Sequence, residues 1–502
     1  MTRLTVLAAV VAAVGTTGFA VSAAADTLPD ALAAAYETNP QLTVQRAIVR
    51  QTDEGVPQAL ASGRPTVNAT GTAQQSANDF NRDGGRYYNG ALNLNQSLYR
   101  GGRTRTATSA AENRIYAARA RLRAVEDNVL LAVVTAYADV LRYAQVVELN
   151  ENQVKVLQRE LQASRDRFEV GDLTRTDVAQ SDARLANAQS NLVVAQGQLN
   201  TAKNAYLRVV GRPPVALAPL PPLPVLPGTV GQATDLANAN NPSLVAARFD
   251  EAAARYDVST IERQRLPTLT AGVGVNYTYT QAGTAGITST GTGSSGVGTG
   301  LAGGGSTGAA AIVGGDFHAF QQTGGLTLTV PLYQAGLNGS QIRAAQAVRS
   351  QYMEQIGFIG RQAVETASNA FVSVATARAV ITASESSVTA NQLALQGVTQ
   401  ENQVGTRTVL EVLNAEQELV VARVNLAAAR RDEYVAGYTL LAAVGQAEAD
   451  PLAVPGEHFD STENAARVRH KWGDYDIDND PAPLPLPDPV VASKSLPIGP
   501  QR

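Results

Sequence analysis

Residues 130–172 read LLAVVTAYADVLRYAQVVELNENQVKVLQRELQASRDRFEVGD, and apolar side chains return at every seventh position: Val133, Val140, Val147, Val154, Leu161 and Phe168. A sustained period of seven predicts an α-helix that supercoils left-handedly against a neighbour. The spacing resumes after Gly171 in Val178, Leu185, Leu192, Leu199 and Tyr206. Two antiparallel helices are expected, joined where glycine suits the left-handed conformation that ends a helix. One unbroken helix from Thr104 to Val170 would reach roughly 100 Å at 1.5 Å per residue, far beyond a globular helix.

The pattern occurs twice. Val374, Ile381, Val388 and Leu395, then Val412, Leu419, Leu426 and Leu440, repeat it around Gly405. Asn39-Pro40-Gln41-Leu42 is answered by Asn241-Pro242-Ser243-Leu244, and Pro65 by Pro267, at an offset of 202. Leu98-Tyr99, Val170-Gly171 and Val210-Gly211 are answered by Leu332-Tyr333, Val404-Gly405 and Val444-Gly445 at an offset of 234. The chain is a tandem duplication, and its extra length is the uncharged Gly/Ser/Thr/Ala stretch 283–315.

Ahead of each helical hairpin the period drops to two. Val67, Ala69, Gly71 and Ala73 alternate with Thr66, Asn68, Thr70 and Thr72, and Leu92, Leu94 and Leu98 with Asn93, Asn95 and Ser97. In the second copy Leu269, Ala271, Val273, Val275, Tyr277 and Tyr279 form one strand, and Leu326, Leu328, Val330 and Leu332 another. Thr27 with Asp30 reads as a capping box before a short helix, and a further helix is expected from about Gln41 towards Ser62.

Arg3, the apolar run Leu4–Val14 and Ala23-Ala24-Ala25 read as an export signal, 1–25, with the mature chain from about Asp26. With no cysteine there is no disulfide, no thiolate metal site and no lipid anchor on an N-terminal Cys. No apolar run past residue 25 is expected to span a bilayer as a helix, so membrane insertion would require a β-barrel. Four strands per chain permit barrels of eight, twelve or sixteen, all of them oligomeric. Tyr87, Tyr88, Tyr99, Tyr277, Tyr279 and Tyr333 are candidates for aromatic girdles. The organisation is therefore 26–227, a first repeat ending in a Pro-rich linker; 228–450, a second repeat carrying the 283–315 loop; and 451–502, a Pro-rich acidic tail read as flexible.

A net charge of −4 with scattered Lys and Arg offers no nucleic-acid surface. His318, His458 and His470 lack metal spacing, the Gly-x-Gly-x-x-Gly matches at 291 and 298 lie in low-complexity sequence, and no polar constellation converges. No catalytic, cofactor-binding or metal residues are assigned, and an enzyme is not expected. A soluble periplasmic coiled-coil adaptor would share the signal and the heptads, but not two-faced strands at matching places in both repeats.

Val404-Gly405-Thr406-Arg407-Thr408-Val409-Leu410-Glu411-Val412-Leu413-Asn414-Ala415-Glu416 resembles the second-repeat periplasmic hairpin of the TolC outer-membrane efflux family. Val170-Gly171-Asp172 with Thr176-Asp177-Val178 is similar to its first-repeat partner, and the Tyr-x-x-Gly closing each strand pair is similar too. The resemblance implies a mainly α protein with β: a homotrimer whose chains each give four strands to a 12-stranded barrel in the outer membrane of a Gram-negative cell. Below it would run a coiled-coil α-helical barrel through the periplasm.

It further implies a passive channel for efflux or type I secretion. Its hairpin tips, Val170, Gly171, Asp172, Val404, Gly405 and Thr406, would meet a periplasmic adaptor tied to an inner-membrane ABC, RND or MFS pump. The residues matching Asp177 and Arg407 would hold the entrance shut, Arg407 of one repeat reaching Asp177 of the other, while Glu411 and Asn414 would line its narrowest ring. This sequence departs from the pattern twice: Asn414 stands where an acid is expected, and Asn402 where the gate often has an aromatic. Thr174-x-x-Asp177 and Thr408-x-x-Glu411 are also capping boxes on their own residues.

Overall fold

The computed structural model describes residues 26–75, 86–281 and 316–479. The expected leader, the Gly-rich loop 283–315 and residues 480–502 of the tail lie outside the described residues. The order of elements is α1 (Leu28–Thr38), α2 (Pro40–Asp53), α3 (Gly55–Ala61), β1 (Thr66–Gln75), β2 (Arg86–Tyr99), α4 (Arg103–Glu169) and α5 (Arg175–Val210). It then repeats as α6 (Val230–Asn240), α7 (Pro242–Glu262), β3 (Thr268–Gln281), β4 (Phe317–Thr329), α8 (Leu337–Gln403) and α9 (Val409–Ala443), with a short α10 (Glu463–Val468) in the tail. The long helices α4 and α8 each have 67 residues.

The copies differ where chemistry demands it. The expected helix 41–62 is split into α2 and α3, whereas its counterpart α7 is continuous. Pro57 has no N–H to offer the carbonyl of Asp53. The expected last strand stops at Thr329, so Val330 and Leu332 are not part of it, because Pro331 cannot donate to a ladder.

The strands form one antiparallel sheet in the order β1-β2-β3-β4, with β1 and β4 unpaired on their outer sides among the described residues. The register puts like with like. Val67 faces Leu94, which faces Val273; Ala69 faces Leu92, which faces Val275; Tyr88 faces Tyr279. The opposite face carries Asn68 against Asn93, and Asn89, whose amide donates to Asn276 at 2.6 Å and to Thr278 at 3.2 Å. One side is thus aliphatic and aromatic, the other amide and hydroxyl.

The main core gathers α1, α2, the middle of α4 and the ends of α5 and α9 around Tyr137 and Tyr206. Both phenols hold the start of the described chain: Tyr137 donates to the carbonyls of Asp26 and Ala218, and Tyr206 to the Asp26 carboxylate. A stretch of α4 is apolar enough on length and composition to cross a bilayer, contrary to expectation. Its Val129, Leu130, Val133 and Val134 are buried in this core, which accounts for the hydrophobicity.

The expected stripe is buried on α4 at Val133, Val140, Val154 and Leu161, but on α5 the deepest stripe is a different one. On α5 the buried series is Ser181, Ala188, Ala195, Ala202 and Val209, while Val178, Leu185, Leu192 and Leu199 are half-buried. Small side chains let helix axes approach closely, and larger ones flank the contact. The tail also departs from expectation over 451–479. Val454 enters the main core, Asn464 donates to Asp53 at 2.8 Å, Arg469 pairs with Glu112, and the Arg64 guanidinium lies over the Trp472 ring.

Candidate functional site

Each long helix ends in a tight turn at the end of the molecule remote from the sheet. Gly171 and Gly405 take φ of +85° and +80°, and a Cβ at either would meet nothing within 4 Å. Glycine is required there by backbone conformation and not by space. Asp172 N–H donates to the Arg167 carbonyl at 2.9 Å, and Thr406 N–H to that of Glu401 at 3.0 Å, closing orphan carbonyls beyond the helix end. Val170 and Val404 project with 80% and 74% of their surface exposed. Each tip thus presents a solvated valine.

The following helices start on reciprocal caps. Thr174 accepts from Asp177 N–H while the Asp177 carboxylate accepts from Thr174 N–H, and Thr408 and Glu411 do the same. The bonds from Thr174 hold the Asp177 carboxyl below its ordinary range. The Thr408 backbone, then Arg407, hold Glu411 down to about 2.

The turns are chemically unequal. Arg407 donates from Nε to Glu401 and from Nη1 to Glu411, both at 2.7 Å. Within one chain it clasps its own hairpin and does not pair with Asp177. The reason is proximity: Glu401 and Glu411 flank the same turn, while the Asp177 carboxylate is occupied in its own cap. Asn402, standing where an aromatic was expected, donates to the Arg407 carbonyl at 2.8 Å and staples the turn. Leu173, the counterpart of Arg407, packs with Val154, Leu157, Leu185, Val409 and Leu413.

That apolar cluster brings the two hairpins together, since Val409 and Leu413 belong to α9 and the rest to the first repeat. Beside it Arg184 donates to the Asn414 amide oxygen at 2.6 Å. Arg184 and Glu401 were not singled out from the sequence. Arg184 sits seven residues after Asp177 on the same face of α5, but spacing alone does not say which partner lies opposite. Among the described residues no group of three or more His, Cys, Asp or Glu side chains is placed to hold a metal ion.

A sequence model of the family described as "Outer membrane efflux protein" matches residues 31–212 and 233–446. The outer membrane efflux protein BepC of Brucella suis is 32% identical over 469 residues, 93% of this chain and 95% of the relative. The alkaline protease secretion protein AprF of Pseudomonas aeruginosa is 26% identical over 70% of this chain and 68% of its own length. Among solved structures, the Campylobacter jejuni CmeC outer membrane channel superposes with a TM-score of 0.68 at 14% identity, covering 88% of this chain and 89% of that one.

Proposed function

The chain belongs to the outer membrane efflux protein family as an outer-membrane channel with a periplasmic helical extension, and from that premise we propose its assembly, its partners and the residues of its entrance. Three chains close a barrel of twelve strands, continued by a tunnel of helices. The observation that carries this is the sheet itself: among the described residues it has four strands, an apolar face, and unpaired edges at β1 and β4. In hydrocarbon an open edge leaves every second backbone group without a partner, so only closure through other copies satisfies it. Support comes from α8, which exposes Met353, Phe358, Val372, Val380 and Leu393 along its length and so offers a face to a second copy.

The hairpin tips with Val170 and Val404 dock a periplasmic adaptor coupled to an inner-membrane ABC, RND or MFS pump. The ring formed by Asp177, Asn402, Arg407, Glu411 and Asn414 frames the entrance, with Arg184 added by its bond to Asn414. Transport is passive, and the chain itself carries out no chemistry. Unboiled protein should migrate as an oligomer on a denaturing gel and give single-channel conductance in a planar bilayer. A monomer recovered wholly in the soluble periplasmic fraction would overturn the assembly.

A further inference from the structure

We propose that the groove at the foot of the strands binds the phosphate of an anionic phospholipid headgroup in the periplasmic leaflet of the membrane. The inference rests on the membrane-embedded sheet of the preceding section. The groove, of about 740 Å³, lies between the end of α3 and the start of α4 and is lined by Leu98, Tyr99, Arg100, Arg105, Glu112 and Arg469. On the side of the sheet it is closed by Leu98 and Tyr99 at the end of β2. The register shifts between Ser97 and Tyr99, which sets Tyr99 opposite Leu269, beside Leu269's other neighbour Leu328. Leu98 and Tyr99 are both more than half exposed.

The depth is that of a headgroup. At the far end of the sheet Tyr88 stacks on Tyr279, which stacks on His318. From Tyr88 to Tyr99 is eleven residues. At about 3.4 Å per residue and a tilt of about 40°, that is about 28 Å along the membrane normal, close to the apolar band of an outer-membrane barrel. Arg100 and Arg105 therefore begin where hydrocarbon ends.

The charge is unbalanced there. Arg64, Arg103, Arg263 and Arg265 flank the same junction, and among the described residues none of them, nor Arg100 or Arg105, forms an ion pair. Glu112 is the acid lining the groove, and it is already bonded to Arg469 at 2.9 Å. Glu262 precedes Arg263 and is outnumbered by it and Arg265. Arg100 is held in place by donating to the Ser62 carbonyl at 2.7 Å, and burial together with Arg100 pushes the Arg103 guanidinium below its ordinary range. Arginine's planar fork suits phosphate oxygens, and an aliphatic face immediately above suits the acyl chains.

The test reconstitutes the full-length assembly in phosphatidylcholine vesicles with and without phosphatidylglycerol and follows thermal dissociation of the oligomer. Phosphatidylglycerol should raise the midpoint of the parent. The exposed-side-chain variant Arg105→Gln should lose part of that rise, and Arg100→Gln with Arg105→Gln most of it, with midpoints in pure phosphatidylcholine unchanged. Variants that keep the parent's full rise overturn the site. A rise reproduced by inorganic phosphate in pure phosphatidylcholine assigns the groove to free phosphate and overturns the lipid. A chain that never inserts into vesicles overturns the channel reading and this inference together, whereas an inserted channel indifferent to lipid charge overturns this inference alone.

Discussion

Arg184 of the first helical hairpin donates to the Asn414 amide oxygen of the second at 2.6 Å, joining the two repeats a few turns above their tips. Both side chains sit in an exposed setting, so the pair is worth about 0–1 kcal/mol per chain. Three copies acting together would bias a closed entrance by at most about 3 kcal/mol, below the roughly 5.5 kcal/mol that switches a two-state equilibrium fully. An adaptor can override such a contact. Asn414→Asp turns it into an ion pair and should lower single-channel open probability, while Arg184→Ala should raise it. Equal open probability in both variants and the parent would show that the contact does not restrain the entrance.

Arg407 is clasped by Glu401 and Glu411 in its own hairpin. Its replacement should therefore loosen the turn more than it opens the pore. Arg407→Leu, which installs the residue found at Leu173 in the first repeat, is expected to make the 401–411 turn more susceptible to protease with conductance changed less than about twofold. Exposed pairs of this kind are weak. A large rise in conductance, abolished when Asp177→Asn is added, would instead require a link between Arg407 and Asp177 across subunits.

At the tips, Gly405→Ala forces an L-residue to φ near +80°, at a cost of about 1–2 kcal/mol with no steric clash added. The same applies at Gly171. Oligomer yield should be unchanged, because the added methyl meets no other atom within 4 Å. Val170→Asp with Val404→Asp should likewise assemble but lose cross-linking to the adaptor and fail to restore drug or toxin export in a channel-deficient strain. Full export by the double variant would move adaptor docking elsewhere.

Asp127 on α4 is 4% exposed, and burial, followed by the charges of Glu448 and Glu126, raises its carboxyl to about 8. In the unfolded chain it titrates near 3.8. Between these values the folded state binds a proton that the unfolded state does not, so stability is greatest below about pH 4 for this group and falls as pH rises through 8. Asp127→Asn should raise the unfolding midpoint at pH 8 and flatten its decline between pH 6 and 8.5, measured by circular dichroism. An unchanged slope would show that the group stays ionised.

Residues 451–479 are expected to contribute to stability. Truncation after Asp450 removes Val454 from the main core and takes Asn464 from Asp53, a carboxylate only 1% exposed. The loss is the apolar burial of Val454 and a hydrogen bond to a carboxylate, the latter about 1.5–3 kcal/mol. The midpoint should fall by several degrees, and an unchanged midpoint would show that 451–479 adds no stability. Trp472→Ala, at an exposed cation–π contact with Arg64, should cost about 0.5–1 kcal/mol.

Much of this was legible in the sequence because the periodicities are local. A spacing of seven dictates a supercoiled helix, and a spacing of two dictates a two-faced strand, whatever lies beyond. Glycines at 171 and 405 mark turns for the same reason, and Thr-x-x-acid marks caps. The 67-residue helices, the four strands and both hairpin turns follow from such rules. Partners across the fold do not. Heptad spacing identifies an apolar stripe on α5 but not that the small series Ser181, Ala188 and Ala195 takes the closest contact, which depends on how near a second helix comes. Within one chain Arg407 pairs with Glu401 and Glu411, which flank its own turn, a choice that depends on what is nearest in space. The acidic, proline-rich composition of the tail gave no sign that Asn464 and Val454 would find Asp53 and the core, a match made only once α1, α2 and α4 had formed the surface that receives them.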